Sequence, residues 1–261
     1  MATSGPVSLR AKIPLSDVPA AIQILEGAHM QLGIVTGMVF EAEILRAAAR
    51  NLPEQQRPLI VCRGLGRDAA RLGTEEAIAQ GAKALMSFGI AAGLDPRLHA
   101  GTIMTASHIH GGAKTLASDE PWAARLSAAL SEAGIAPLSH DPITHAAEML
   151  TTPEAKAQLR AATNAGGADM ESYGIAEAAA ARALPFATLR VVADTFDVGL
   201  PSVAVDAATP DGRVDVMKSV WGAITHPGQI PELIRLGRRT EFAATQLRRL
   251  ADFGLARRFF V

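Results

Sequence analysis

The stretch 168–197, ADMESYGIAEAAAARALPFATLRVVADTFD, places acidic residues at the ends of two apolar segments. Asp169 and Glu171 flank Met170 where an alanine-rich helix is predicted over 170–183. Asp194 follows the continuous apolar run 186–193, which is typical of a strand buried on both faces. A helix followed by such a strand indicates an α/β fold, in which ligands bind at the strand ends. The acids of this stretch are therefore candidate site residues.

The same alternation of apolar strands and helices extends through the chain. It predicts an α/β three-layer sandwich, with a mixed, mostly parallel central sheet flanked by helices. Residues 107–114 lack periodicity and are predicted to form a loop. Strands are predicted over 32–36, 59–62, 84–90, 101–106 and 186–193, and helices over 41–50, 74–81, 121–134, 153–161, 170–183, 214–224 and 229–250.

The chain is interpreted as one domain over residues 30–261, preceded by a separate segment over residues 1–29. Gly27-Ala28-His29-Met30 resembles a cloning junction. Residues 1–29 are therefore either vector-derived or an extension, with a short helix predicted over 14–26. No linker, repeat or low-complexity tract divides the remainder.

Composition excludes several classes of protein. The 261 residues are 49% hydrophobic and carry a formal net charge of -1 with both signs interspersed, so nucleic-acid binding is not expected. The single cysteine, Cys62, is interpreted as a small core residue and fits a reducing compartment. No apolar run approaches the ~18 residues of a transmembrane helix, and no signal peptide is apparent. We therefore expect a cytoplasmic protein.

The acids also have structural interpretations. A carboxylate such as Glu171 at a helix N-terminus stabilises the helix by ~0.3–1 kcal/mol, and Asp169 could cap the same helix. Asp194 ends an apolar strand, where an unpaired charge is costly, so pairing with Arg190 or capping of the next turn are alternatives. An acid whose pKa is raised in such a place is suited to proton donation.

Other motifs are less specific. Glu41 starts a predicted helix, where it would again complement the helix dipole. The run 63–67, RGLGR, could hold an anion through backbone N–H groups, or be an ordinary turn. His108 and His110 lack a zinc spacing, and neither a dinucleotide nor a P-loop motif is present. No metal and no cofactor are therefore predicted.

Taken in order, the motifs resemble the nucleoside phosphorylase/nucleosidase superfamily, in particular its methylthioadenosine/S-adenosylhomocysteine nucleosidases. The matching segments are GIVTGMVFEAE (33–43), RGLGR (63–67), FGIAAGLDPRLHAGTIM (88–104), ADMES (168–172) and RVVADTFD (190–197). ASDEPWAARL (117–126) and THPGQIPELIRL (225–236) look most like the hopanoid-associated phosphorylase group. That group is taken to release adenine from adenosylhopane in hopanoid side-chain synthesis.

The resemblance implies cleavage of the N-glycosidic bond of a 5′-substituted adenosine. Asp194 would protonate adenine N7, and Glu41 would activate the attacking water. Glu171 would bind the ribose hydroxyls and stabilise the cationic sugar. The remaining implied substrate-binding positions are Asp169, Met170, Gly89, Ile90 and Ala91.

Departures from the family pattern leave the nucleophile open. Ile90 stands where the family usually has serine or threonine, and Ala92 replaces a usual glycine. Glu41 favours water, whereas phosphate as a co-substrate would need arginines. The candidates for that pocket are Gly37, Arg46, Arg63 and Arg67.

The resemblance also implies a homodimer or higher oligomer, in which a partner subunit or residues 108–116 would line an apolar 5′ pocket. A lipid-linked nucleoside would bring the protein to the inner membrane surface. Two alternatives remain, namely a methylthioadenosine/S-adenosylhomocysteine-type nucleosidase and a non-catalytic nucleoside-binding module.

Overall fold

Strands and helices alternate along most of the chain, and four consecutive strands lie between residues 84 and 117. The computed structural model describes residues 30–215, 225 and 227–256. The predicted helix over 14–26 lies outside these residues, as does nearly all of the one predicted over 214–224. The strands are β1 (Leu32–Thr36), β2 (Leu59–Cys62), β3 (Ala84–Gly93), β4 (Ile103–Met104), β5 (His108–His110), β6 (Thr115–Ala117), β7 (Leu138–Ser139), β8 (Ile143–His145), β9 (Gly167–Asp169) and β10 (Phe186–Asp194). The helices are α1 (Val39–Ala49), α2 (Arg67–Ala79), α3 (Glu120–Glu132), α4 (Pro153–Thr163), α5 (Ser172–Ala180), α6 (Ser202–Ala207) and α7 (Ile230–Ala256).

One mixed sheet contains all of these strands, and the long strand β3 is its centre. The first half of β3 pairs in parallel with β1, which pairs with β2. On the other side of β3, most of the strand pairs in parallel with β10. The last two residues of β3 also pair antiparallel with β9. The order β6-β5-β8-β9-β3-β10-β4-β7 completes the sheet, and most of its pairings are parallel. The predicted fold class is confirmed.

Two hydrophobic cores lie on opposite faces of the sheet. Ile34 on β1 packs in the core that contains residues of α1, α3 and α7, and the next residue, Val35, packs in the core that contains residues of α2 and α5. Both faces of the central strands are therefore covered. This explains why β1 and β10 are continuous apolar runs rather than alternating ones.

Three sequence expectations about elements were wrong. The predicted loop over 107–114 contains β5, whose three residues are too few to show a period. The helix expected from Thr74 begins at Arg67, directly after the turn at Gly66, which has φ +94°. The strand predicted over 101–106 is shorter, since only Ile103 and Met104 are paired. Within the described part of the chain, no helix is long and apolar enough to cross a membrane.

Candidate active site

Glu41 is buried at the N-terminus of α1, immediately after the β1 turn. Its Oε2 accepts a hydrogen bond from the Met38 N–H at 3.0 Å, and its Oε1 accepts one from the Ile90 N–H at 2.9 Å. The side chain is thus a helix cap that also connects α1 to β3, with 1% of its surface exposed. Burial raises the pKa of this carboxyl, while nearby Arg190 opposes the rise. A raised pKa makes the ionised form a stronger base.

Arg190 is the central cation of the site. It lies in the middle of β10 with 1% of its side chain exposed. Its Nη2 donates to Ser87 Oγ at 2.8 Å, and its Nη1 donates to the Ile90 carbonyl at 3.2 Å. Two acids of the opening stretch, Asp169 and Glu171, contact it as well. Its Nε lies 3.0 Å from Asp169 Oδ2, an ion pair without an aligned hydrogen bond, and its Nη2 lies 3.4 Å from Glu171 Oε2.

Glu171 is held at the start of α5 with 5% exposure. Its Oε1 accepts a hydrogen bond from the Gly66 N–H at 3.0 Å, so the turn before α2 contributes to the site. Gly37 is packed so closely that a Cβ there would lie 2.6 Å from Glu171 Cδ. Burial raises the pKa of Glu171 to about 7 against the opposing charge of Arg190, and the neighbouring Asp169 contributes to the rise. The side chain therefore titrates near neutrality.

Asp169 has the capping role that the sequence allowed, together with an ionic one. Its Oδ1 accepts hydrogen bonds from the N–H groups of Glu171 at 3.1 Å and Ser172 at 2.8 Å. Its Oδ2 accepts from the Ser172 hydroxyl and faces Arg190. Met170, between the two acids, is half-buried against a small hydrophobic cluster. The predicted helix over 170–183 begins at Ser172 because the preceding residues form this cap.

Asp194 is the last residue of β10 and is 9% exposed. The pairing with Arg190 that the sequence left open is not formed. Instead, Lys156 of α4 contacts Asp194 Oδ2. Burial raises the pKa of Asp194, and the adjacent Lys156 ammonium opposes the rise. Asp194 is paired with Ala92, two residues and thus roughly 7 Å along β3 from Ile90, whose N–H binds Glu41.

Gly89 of β3 lets Glu41 and Arg190 approach the strand. A Cβ on Gly89 would lie 2.6 Å from Arg190 Nη1 and from Glu41 Cδ, so a larger residue would displace both side chains. Ile90 uses its backbone N–H and carbonyl in the site, while its side chain packs against the core. Ala91 is buried with 4% exposure. The backbone at Ile90 makes its contacts whatever the side chain is.

The arginines predicted for a phosphate pocket have partners elsewhere. Arg46 donates to the Ile60 carbonyl at 3.4 Å at the surface, and Arg63 pairs with Glu76 at 2.7 Å. Arg67 pairs with Glu177 at 2.8 Å and lies over the ring of Tyr173. Gly37 does lie at the site, against Glu171. The arginine that the structure places among the carboxylates is Arg190.

Sequence reasoning missed two functional candidates, Arg190 and Lys156. Each is a cation with 1% or less of its side chain exposed. Arg190 interrupts an apolar strand run, which was an available signal because a buried charge requires partners. Lys156 occupies an ordinary amphipathic helix sequence, and nothing in the sequence indicated its burial.

Comparison with known proteins shows the family of the chain. The model of the phosphorylase superfamily matches residues 31–213. The chain belongs to the phosphorylase superfamily. The matched range includes the segments that carry Glu41, Glu171 and Asp194. No curated protein matches the chain at a significant level.

Solved structures resemble the chain across most of its length. A 5′-methylthioadenosine/S-adenosylhomocysteine nucleosidase of Campylobacter jejuni has 17% identity and a TM-score of 0.64, with 87% of this chain and 97% of that chain covered. The Neisseria meningitidis nucleosidase of the same name, in complex with methylthio-immucillin-A, has 16% identity, a TM-score of 0.64 and coverage of 87% and 99%. Futalosine hydrolase of Helicobacter pylori has 16% identity, a TM-score of 0.63 and coverage of 86% and 98%. At this identity the similarity shows a shared fold.

Proposed function

We propose that this protein hydrolyses the N-glycosidic bond of a 5′-substituted adenosine and releases adenine. The observation that supports this most directly is that three buried acids are each held in place by different partners. Glu41 is held by backbone N–H groups, Glu171 by Gly66 and Arg190, and Asp194 by Lys156. Glycoside cleavage needs a base, a group that stabilises a cationic sugar and an acid for the leaving base.

The proposed reaction assigns one acid to each of these tasks. Asp194 gives a proton to adenine N7 as the C1′–N9 bond breaks and its electron pair passes to the base. Glu171, when ionised, accepts hydrogen bonds from the ribose hydroxyls and stabilises the positive charge of the ring. The oxygen of a water molecule forms the new bond to C1′, and Glu41 accepts the proton that this water loses.

Electrostatics favour water over phosphate as the nucleophile. Glu41, Asp169 and Glu171 surround a single guanidinium, that of Arg190, which already contacts two of them. A phosphate anion in this place would meet carboxylates of like charge, and like charges at close range are repelled. The arginines that could have neutralised phosphate, Arg46, Arg63 and Arg67, have partners elsewhere.

The identity of the 5′ substituent is a finer proposal. The structural neighbours include nucleosidases named for methylthioadenosine and S-adenosylhomocysteine, which supports an adenosine with a 5′ group. The sequence resemblance to the hopanoid-associated group supports adenosylhopane. Phe196, two residues after Asp194, is 38% exposed and offers apolar surface near the site. We propose adenosylhopane first and methylthioadenosine second.

The test is adenine release, measured by chromatography, from adenosylhopane and from methylthioadenosine, each with and without phosphate. We expect release without phosphate and a free ribose product. Formation of a ribose 1-phosphate that depends on phosphate would overturn the role of Glu41. Binding of both nucleosides without release would instead identify a non-catalytic nucleoside-binding module.

A matched pair of variants checks that the activity belongs to this site. Glu41→Gln removes the proposed base, whereas Glu43→Gln makes the same change at an exposed position of the same helix. Loss of roughly 10²–10⁴-fold is expected only for the first variant. The proposal also includes a homodimer, which analytical sedimentation tests. It includes a cytoplasmic location, at the inner membrane surface if the substrate is a lipid, which cell fractionation tests.

A further inference from the structure

Lys156 is a buried cation that the three proposed acid roles do not use. It lies on α4, and its side chain has 0% exposure, one of the largest fully buried side chains of the described residues. Burying an ammonium is costly unless each of its protons finds an acceptor. Its contacts should therefore show what keeps it there.

The Lys156 nitrogen has three acceptors, of two different kinds. It donates to the carbonyl oxygens of Thr195 and Val198, each at 2.8 Å, and it contacts Asp194 Oδ2. The two carbonyls can only accept, so two N–H groups must point at them. The third contact can be satisfied in two ways. Either an ammonium donates a hydrogen bond to a carboxylate, or a neutral amine accepts a hydrogen bond from a protonated carboxyl group.

Both forms of the pair leave every polar group satisfied. They also have the same net charge, because the proton only changes its position between nitrogen and oxygen. Taking an ion pair out of water is costly, which brings the neutral amine–carboxyl form closer in energy to the ammonium–carboxylate form than it would be in water. Arg239 of α7 and Asp197 are the other charged groups that interact with this pair.

We propose that Lys156 is a positioning residue that shares a proton with Asp194, and that this shared proton is the one delivered to the leaving base. The inference rests on the proposed function of Asp194. When the C1′–N9 bond breaks, the proton passes from Asp194 to adenine N7. The pair is left as a neutral amine beside a carboxylate, and it regains its proton from water after the base departs.

Substitution by arginine separates proton sharing from simple charge pairing. The guanidinium introduced by Lys156→Arg would not release a proton, because arginine stays charged in proteins. In this variant Asp194 would be fixed as a carboxylate, and adenine release should fall by roughly 100-fold. In Lys156→Met, the buried carboxyl would keep its own proton, and release should stay within roughly tenfold of wild type. Lys83→Arg, at an exposed position, is the control.

A second substrate identifies the affected step. 4-Nitrophenyl β-D-ribofuranoside releases 4-nitrophenolate, a leaving group that needs no protonation. Lys156→Arg should therefore cleave this riboside within about threefold of wild type, since only the acid step is lost. Equal losses on both substrates would show a merely structural role. Normal adenine release by Lys156→Arg would overturn the proposal, and thermal unfolding of each variant checks its folding.

The wild-type protein supplies an independent measurement. The ¹⁵N resonance of the Lys156 side chain and the ¹³C resonance of the Asp194 carboxyl group report where the proton lies. Values between those of the ammonium–carboxylate and amine–carboxyl forms are expected. Ordinary ammonium and carboxylate values would refute sharing. A wild-type protein that releases no adenine refutes the proposed function, and this spectrum still decides on the pair.

Discussion

Replacing Glu171 with glutamine should make the protein more stable at pH 8 while removing the proposed support for the ribose cation. The pKa of Glu171 is raised from 4.5 to about 7, chiefly by burial. Because the folded state holds this proton more tightly than the unfolded state, the contribution to stability is full below pH 4.5. It declines as pH rises and is lost above about pH 7.

The pKa shift sets the size of the effect. A rise from 4.5 to about 7 corresponds to roughly 3 kcal/mol of unfolding free energy lost by the ionised form. Glutamine stays neutral and avoids this loss. It has only one side-chain acceptor, so it gives up either the Gly66 N–H or the Arg190 contact, at a cost of about 1 kcal/mol. The variant should be more stable than wild type by about 2 kcal/mol at pH 8.

The assay is urea unfolding of wild type, Glu171→Gln and Glu43→Gln at pH 5 and pH 8. Glu43 is exposed, so its variant should follow wild type at both values. The difference between Glu171→Gln and wild type should increase in favour of the variant by about 2 kcal/mol over this range. A difference that stays constant would show that folding does not raise the pKa of Glu171, and one that decreases with pH would show that Glu171 is stabilised in its ionised form.

Asp194→Asn should lower adenine release by roughly 10²–10⁴-fold, and near wild-type turnover would exclude Asp194 as the acid. Gly89→Ala should destabilise the fold by about 1–3 kcal/mol, because its Cβ would lie 2.6 Å from Arg190 Nη1. The control is Gly237→Ala on α7, where a Cβ would meet no other atom within 4 Å, so the added methyl group should stabilise the helix by about 1 kcal/mol. Equal unfolding midpoints for the two variants would contradict the proposed crowding at Gly89. Arg190→Met leaves the buried carboxylates without their cation and should lower the free energy of unfolding by about 3–5 kcal/mol at pH 8. The carboxylates protonate more readily at pH 5, so the same loss of stability at that pH would argue against an electrostatic cause.

The elements that the sequence predicted well are those with long, unambiguous patterns. The apolar runs of β1, β2 and β10 and the helices α1, α3 and α4 lie within a few residues of their predicted bounds. Strands of two or three residues, such as β5 and β9, were missed because so short a segment shows no period. The start of α2 was misplaced because Thr74, which is followed by two glutamates, resembles a helix N-cap. In the structure its hydroxyl donates to the Ala70 carbonyl within the helix, and Gly73 allows the helix to pack against Val61 on the sheet.

The sequence by itself determined the fold class and the positions of Glu41, Glu171 and Asp194 at the ends of elements. Hydrophobic periodicity and turn residues are local properties, and these acids stand at their boundaries. Only the tertiary structure decided which cation faces which acid. Arg190, four residues before Asp194, contacts Asp169 and Glu171, whereas Lys156 on a separate helix contacts Asp194. Side chains within an extended strand project from it at fixed positions, so pairing depends on which elements the sheet brings together, and that arrangement is set by packing across the whole domain.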